Sequence, residues 1–267
     1  MANEIQIFPR DGLDTARQLL HQARAVVCDI DGVLLTGTRP IAGAQQLLRT
    51  HRCVFVSNNS THTAQQLAEL FNRLGLPGDP QDFFLAGEES LAYVRSLGPE
   101  LRVMVLASDG IAQKAAQTLQ IFDHRELRPS NRPDIVLVCR DQSATFEKIE
   151  AAANAIRLGA RAVVSNPDLT HPANEGLIHT ETGALWQAIA AQIPDSASVT
   201  IIGKPETTLA RLAIEHLSLD SHALVFLGDN LQTDAPVAAR VNMPFIHTGG
   251  AGFMLKTLLD QPSDAGW

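Results

Sequence analysis

Short apolar runs alternate with helical patterns along nearly the whole of this 267-residue chain, and that alternation limits the folds open to it. Residues 24–30 (RAVVCDI) and 52–57 (RCVFVS) are short and rich in β-branched or aromatic residues, so both are expected as strands. Between them, "IAGAQQLLRT" has helical spacing. Next, "THTAQQLAELFNRLGL" puts Leu67, Leu70, Phe71 and Leu74 at i, i+3, i+4 and i+7, and Gly75 marks its end. The rhythm returns toward the C-terminus. There "VTIIGK" and "ALVFLGD" read as strands around the helix "ETTLARLAIEHL", and "TDAPVAARV" leads to the strand "MPFIHTG". Strands alternating with helices imply right-handed crossovers and a parallel sheet. Strands this uniformly apolar suit a sheet covered on both faces. The expected class is α/β, with a doubly wound parallel sheet.

The middle of the chain repeats the theme as a second, smaller α/β unit over roughly residues 86–180. "RVMVLAS", "DIVLVCR" and "ARAVVSN" are its strands, with helices at 110–120 and 144–158. The loops around Gly87 and Gly183 are read as the crossings, which leaves residues 1–85 and 181–267 as the host domain. The length allows one large domain or two modest ones.

Composition narrows the partners. The formal net charge is -8, and no cluster of lysine or arginine would grip a phosphate backbone, so nucleic acid is not an expected partner. No apolar stretch approaches the ~20 residues of a membrane span. The opening "MANEIQIFPRDGLD" lacks the basic and apolar regions of a signal peptide. Cys28, Cys53 and Cys139 each sit in or beside an apolar run, and their odd number argues for free core thiols in a reducing compartment. A cytoplasmic protein is expected. "DQPSDAGW" reads as a frayed tail.

The strand ends carry the chemistry. In "VVCDIDGV", Asp29 and Asp31 are two residues apart and face one side of an extended chain, at the carboxyl end where open α/β sheets bind ligands. Two unit charges about 4 Å apart repel by roughly 4 kcal/mol at an effective dielectric near 20. Either a cation sits there or one carboxyl keeps its proton. "FVSNNST" ends a second strand in Ser57, Asn58 and Asn59, a hydroxyl and backbone N–H groups that can cradle an anion, or simply cap a helix. "IIGKPE" places Lys204 at a third strand end, where it can neutralise phosphate or crowded carboxylates, or lie on the surface. "VFLGDNLQTDA" adds Asp229 and Asp234 at a fourth. Taken as four ends of one parallel sheet, these residues call for a hard cation with oxygen ligands, which Mg²⁺ suits best. The histidines show no zinc-ligand spacing.

In this order, "DIDGVL", "SNNST", "GKP" and "GDNLQTD" resemble the haloacid-dehalogenase-like superfamily, and the wording fits best its class IIA cap branch of 4-nitrophenylphosphatases, nucleotidases and pyridoxal phosphate phosphatases. "PIAGAQQLL", "VVSNPD" and "TETGAL" extend the resemblance over nearly the whole chain. It implies a Rossmann-like core with 86–180 as an inserted cap, and a Mg²⁺-dependent phosphatase working through an aspartyl-phosphate. By matched position, Asp29 is the nucleophile and Asp31 the general acid/base. Ser57 and the backbone of Asn58 and Asn59 bind the phosphoryl group, and Lys204 holds phosphate and nucleophile together. Asp29, Asp229 and the carbonyl of Asp31 bind the metal, while Asp234 lies behind them or orients the lysine.

The resemblance also makes "SNPDLTHPANEG" the loop that reads the leaving group, with Asn166, Asp168, His171 and Asn174 as its polar residues. Asp168 is the one inside the matched tripeptide, though a turn-forming role fits it equally, and His171 alone reads as a surface histidine. Candidate substrates are nucleotides, sugar phosphates, phosphoglycolate and pyridoxal phosphate. A homodimer through the cap is compatible with it. His62, Asn230 and Gln232 replace residues common in the family, which leaves substrate choice open but removes no reacting group. Two other readings fit the same fold less well. A dehalogenase has no use for the acid/base at Asp31, and a phosphate-accepting receiver module needs only ~120 residues and no inserted domain.

Overall fold

Each apolar run expected as a strand pairs in parallel with another, but the runs are shared between two separate sheets. The computed structural model describes residues 12–172, 177–249 and 253–260. Two compact units result. One is built from the segments up to Ser57, Gln65–Phe84 and from Thr207 onward; the other comprises Asn58–Ala64 and Leu85–Glu206.

In the first unit the sheet runs in the order Phe245–His247, Leu224–Gly228, Ala25–Cys28, Cys53–Ser57, Phe83–Leu85. Ala25–Cys28 is central and wholly buried, as four consecutive apolar residues require of a strand covered on both faces. The chain moves outward from it on one side to Cys53–Ser57 and later returns on its other side, so the order reverses beside this strand. Such switch points are where open α/β sheets place ligands. The register aligns Cys28 with Leu227 and with Phe55, which brings the residues just beyond all three strands to one end of the sheet.

The helix Ala64–Arg73 buries Leu67, Ala68 and Phe71, close to the face its spacing predicts. It stops at Gly75, whose φ of +73° lets Gly75 N–H bond to Asn72 and Leu76 N–H to Phe71. Phe71 then packs into a three-ring cluster with Phe55 and Phe83, at centroid separations of 5.2 and 5.0 Å, with Phe55 and Phe83 4.5 Å apart. Each such pair adds roughly 0.5–1.5 kcal/mol beyond simple burial. The cluster ties the helix to the strand that ends in Ser57.

The second unit has its own five-stranded sheet in the order Val199–Ile201, Arg161–Val164, Ile135–Val138, Arg102–Leu106, Gln120–Ile121, parallel throughout. The expected helices at 110–120 and 144–158 are Asp109–Thr118 and Phe146–Arg157. This sheet corrects one expectation. "VTIIGK" does not join the strand of Asp29, because Val199 aligns with Ala162 and Ile201 with Val164, at the edge of the second sheet. Local sequence makes Val199–Ile201 a strand, but its long-range partner decides which sheet it enters. The helix Thr182–Ala190 follows the same partner, with Leu185, Trp186 and Ile189 in one core with Ala152, Ala155 and Ile156. Gly87 and Gly183 are likewise not loop residues. Both lie in the first turn of a helix, where an added Cβ would meet Ser60 Cα at 2.8 Å and the Pro167 carbonyl oxygen at 2.1 Å. They are glycines for close approach rather than for a bend. Among the described residues, no helix is long and apolar enough to cross a membrane.

Candidate active site

Three carboxylates converge at the end of the first sheet. Asp29, Asp229 and Asp234 each offer an oxygen within 4.8 Å of the others. Asp29 follows the central strand and is buried; its Oδ1 accepts a hydrogen bond from Ile30 N–H at 2.8 Å. Asp229 follows Leu224–Gly228, and its carbonyl lies 2.9 Å from His247 Nε2. Asp234 opens the helix Asp234–Arg240, is fully buried, and accepts from Asn230 N–H at 3.0 Å through Oδ2.

Two glycines make this convergence sterically allowed. A Cβ on Gly228 would lie 2.5 Å from Asp234 Oδ2. Gly32 turns the chain at φ +78°, and a Cβ there would lie 2.0 Å from Asp229 Oδ2. Asp31 sits between, exposed, bridged to Leu35. Its carboxylate is not one of the converging three. Ser57, buried, ends the neighbouring strand Cys53–Ser57.

The chemistry of this set is that of a hard divalent cation. All donors are oxygens, and among the described residues no histidine or cysteine joins them. Two oxygens on one octahedral Mg²⁺ at about 2.1 Å stand roughly 3 Å apart when adjacent and about 4.2 Å when opposite, which the observed spacing accommodates. Three buried or half-buried carboxylates this close repel strongly without such a cation.

Lys204, Asn58 and Asp168 belong to the second unit, where the structure draws them together. Asn58 donates through Nδ2 to Asp168 Oδ2 and to the Lys204 carbonyl, both at 2.9 Å, and accepts from Lys204 N–H at 2.7 Å. Lys204 is 2% exposed, a degree of burial that an ammonium tolerates only with compensating acceptors. Asn59 uses its side chain locally, accepting from the N–H groups of Thr61 and His62 at 3.0 and 2.9 Å.

Beneath lies a buried knot that the sequence did not disclose. Asn166 Nδ2 donates to the Asn58 carbonyl at 2.7 Å, and Thr182 Oγ1 lies 2.9 Å from Ser60 Oγ and 3.2 Å from Asn166 Nδ2. No spacing pattern could have found it, because Asn58 and Ser60 lie over a hundred residues from Asn166 and Thr182 in the chain.

The expected reading loop is in part a hairpin. Thr170–Pro172 pairs antiparallel with Ile178–Thr180, while Asn174 lies outside the described residues. His171 holds Glu181 at 2.6 Å through Nδ1, and its ring lies 5.0 Å from that of His179. Burial pushes the Glu181 carboxyl above its ordinary range, against the pull of nearby Arg140 and His171. Of the three cysteines, Cys28 and Cys139 are buried in the core and Cys53 is half-buried. Among them Cys139 is fully buried, and burial pushes its thiol up to about 12.

Comparison with known proteins fits this geometry. Acid sugar phosphatases of Staphylococcus aureus are 27% identical over 233 residues, 85% of this chain and 87% of theirs. A glycerol phosphate phosphatase of Mycobacterium tuberculosis, solved with calcium and with magnesium, is 25% identical. Its TM-scores are 0.76 and 0.75, over 87% and 86% of this chain and 68% and 69% of that one. The p-nitrophenyl phosphatase of Archaeoglobus fulgidus shares the fold, with TM-score 0.72 and 24% identity over 84% of this chain and 85% of its own. A model described as haloacid dehalogenase-like hydrolase matches residues 26–118, and a second, HAD-hydrolase-like, matches 201–261. Together the two take in over half of the chain and every candidate site residue outside the loop 165–176: the chain belongs to the haloacid dehalogenase-like hydrolases.

Proposed function

We propose that this protein is a Mg²⁺-dependent phosphatase that hydrolyses small phosphomonoesters through a phosphoryl group carried transiently on Asp29. The observation that carries the reading is the convergence of Asp29, Asp229 and Asp234 at the strand ends of the first sheet. The phosphatase names of its relatives support the same class.

Asp29 is the nucleophile. Its carboxylate oxygen attacks phosphorus while the ester oxygen leaves, and water then cleaves the acyl-phosphate to release inorganic phosphate. Ile30 N–H holds the Asp29 carboxylate in place for attack. Asp31, exposed beside it, protonates the departing oxygen and then takes a proton from the attacking water. Ser57 and the main chain of Asn58 and Asn59 bind the phosphoryl oxygens, and Lys204 offsets their charge. Asp29, Asp229 and the Asp31 carbonyl would hold Mg²⁺, which would supply the positive charge that lets a carboxylate approach a phosphate dianion. Asp234 braces this set from its helix start, tied to Asn230. The second unit, which encloses residues 86–180, acts as the cap that excludes water and reads the leaving group, with Asp168 among its reading residues.

The test is phosphate release from a panel of sugar phosphates, glycerol phosphate, nucleoside monophosphates, phosphoglycolate and pyridoxal phosphate, with Mg²⁺ and with EDTA. Metal-dependent release is expected from at least one small ester. Equal release in EDTA would overturn the metal's role, and no release from any ester would overturn the phosphatase reading.

A further inference from the structure

We propose that the side chain of Asn58 is a positioning residue that fixes the main chain of Lys204, rather than a ligand of the substrate. This rests on the reading of Lys204 as the phosphate-holding lysine.

The pairing of Val199–Ile201 with Arg161–Val164 continues past its strand as Ile202 N–H to Val164 and Gly203 N–H to Ser165, at 3.1 and 2.7 Å. The next residue is Lys204, and there the partner changes from a strand to a side chain. The Asn58 carboxamide accepts from Lys204 N–H at 2.7 Å and donates to the Lys204 carbonyl at 2.9 Å. A carboxamide carries the same donor and acceptor pair as a peptide group, so it replaces a strand for one residue. The second Nδ2 hydrogen goes to Asp168 Oδ2 at 2.9 Å, which uses both amide hydrogens and sets the amide's orientation. Flipped, its oxygen would face the Lys204 carbonyl and a carboxylate, and its NH₂ would face an N–H.

The rest of the site is shaped around this clamp. The Asn58 carbonyl is itself held by the fully buried Asn166 at 2.7 Å. Gly203 leaves the space that the carboxamide occupies, since a Cβ there would lie 2.4 Å from Asn58 Oδ1 and 2.6 Å from the Ser165 carbonyl oxygen. Asn58 also follows Ser57 directly in the chain. The clamp on the lysine therefore begins one peptide bond after the proposed phosphate-binding hydroxyl.

Lys204 ends in a flexible side chain of four methylenes, so its ammonium can be aimed only if its backbone is fixed. A shift of about 1 Å in a positioning element can cost on the order of 10²-fold in rate. Of the natural side chains at this position, aspartate would keep only the acceptor and face Asp168 with a like charge. Alanine would keep neither bond.

The experiment is a double-mutant cycle on the full chain, with 4-nitrophenyl phosphate and Mg²⁺. It uses Asn58→Ala, Lys204→Ala and the pair, together with the thermal midpoint of each protein. Asn58→Ala is expected to lower kcat/KM on the order of 10²-fold, and to change it little further once Lys204 is alanine. The same shift in thermal midpoint is expected in both backgrounds, because a structural loss does not depend on the ammonium. If Asn58→Ala misfolds, Asn58→Asp and Gly203→Ala serve in its place, with the same non-additivity expected. Losses that multiply on a crippled Lys204→Ala background would overturn the positioning role and leave the lysine's role intact. An undiminished Lys204→Ala would overturn both, at the lysine.

Discussion

Replacing Gly32 by alanine separates a backbone effect from a site effect, because a second glycine supplies the control. Gly32 has φ +78° and Gly75 φ +73°, so alanine at either position suffers the left-handed penalty of about 1–2 kcal/mol. Reduced freedom of the unfolded chain returns roughly 0.4–1 kcal/mol of that. A net loss near 1 kcal/mol should lower the thermal midpoint by roughly 2–4 °C in a protein of this size. The two positions then diverge.

At Gly75 the nearest atom to the new Cβ is Gln45 Nε2 at 3.5 Å, an ordinary contact. At Gly32 the new Cβ would lie 2.0 Å from Asp229 Oδ2. Carbon contacts settle near 3.5–4.0 Å, so the carboxylate must retreat by more than about 1 Å. A displacement of that size at a proposed metal ligand should lower kcat/KM on the order of 10²-fold. Gly75→Ala should show this backbone shift in thermal midpoint with full activity. Thermal melts and Mg²⁺-activation curves on both variants provide the assay. Equal activity of Gly32→Ala and Gly75→Ala would refute the claim that Gly32 makes room for Asp229 in the site.

The same structure sets three further outcomes. Asp229→Ala should move the Mg²⁺-activation curve to higher concentration without a comparable change in the melting curve, and an unmoved curve would remove Asp229 from the metal set. Phe71→Ala, at a fully buried ring in contact with Phe55 and Phe83, should cost about 3–5 kcal/mol of stability by denaturant titration. A loss near zero would mean that the cluster does not anchor its helix. Cys139, its thiol pushed up to about 12 by burial, should resist a disulfide reagent at pH 8 in the native protein and react on unfolding. Fast native labelling, mapped by peptide mass, would contradict that.

Much of this was legible because the strands are short apolar runs that end abruptly in polar residues. "AVVC", "VFV" and "LVFLG" are buried from end to end, and a candidate site residue comes directly after each: Asp29, Ser57, Asp229. The helix over Ala64–Arg73 declared itself by spacing and by its terminal Gly75. Pairing was not legible. "VTIIGK" has the same local signature as "ALVFLGD", yet Val199 pairs with Ala162 and not with the strand of Asp29. Gly87 and Gly183 look like turn formers in sequence, and only packing reveals that they admit a neighbouring backbone. The clamp of Asn58 on Lys204 spans 146 residues, so no local pattern records it. The family resemblance implies Asp29, Asp229 and the carbonyl of Asp31 as the metal set, with Asp234 behind them or orienting the lysine. The structure brings Asp234 into the converging group, because Gly228 lets its helix start lie against the strand end.

The central claim is that Asp29 accepts the phosphoryl group. Its most direct test is to mix enzyme, Mg²⁺ and the best ester of the panel, quench with acid within one turnover, and map the phosphoryl group by peptide mass. The account predicts a phosphorylated peptide containing Asp29, absent in Asp29→Asn, whose turnover should also vanish while its melting curve stays close to wild type. Phosphate release at the wild-type rate from Asp29→Asn, or a phosphoryl group trapped on another residue, would contradict it.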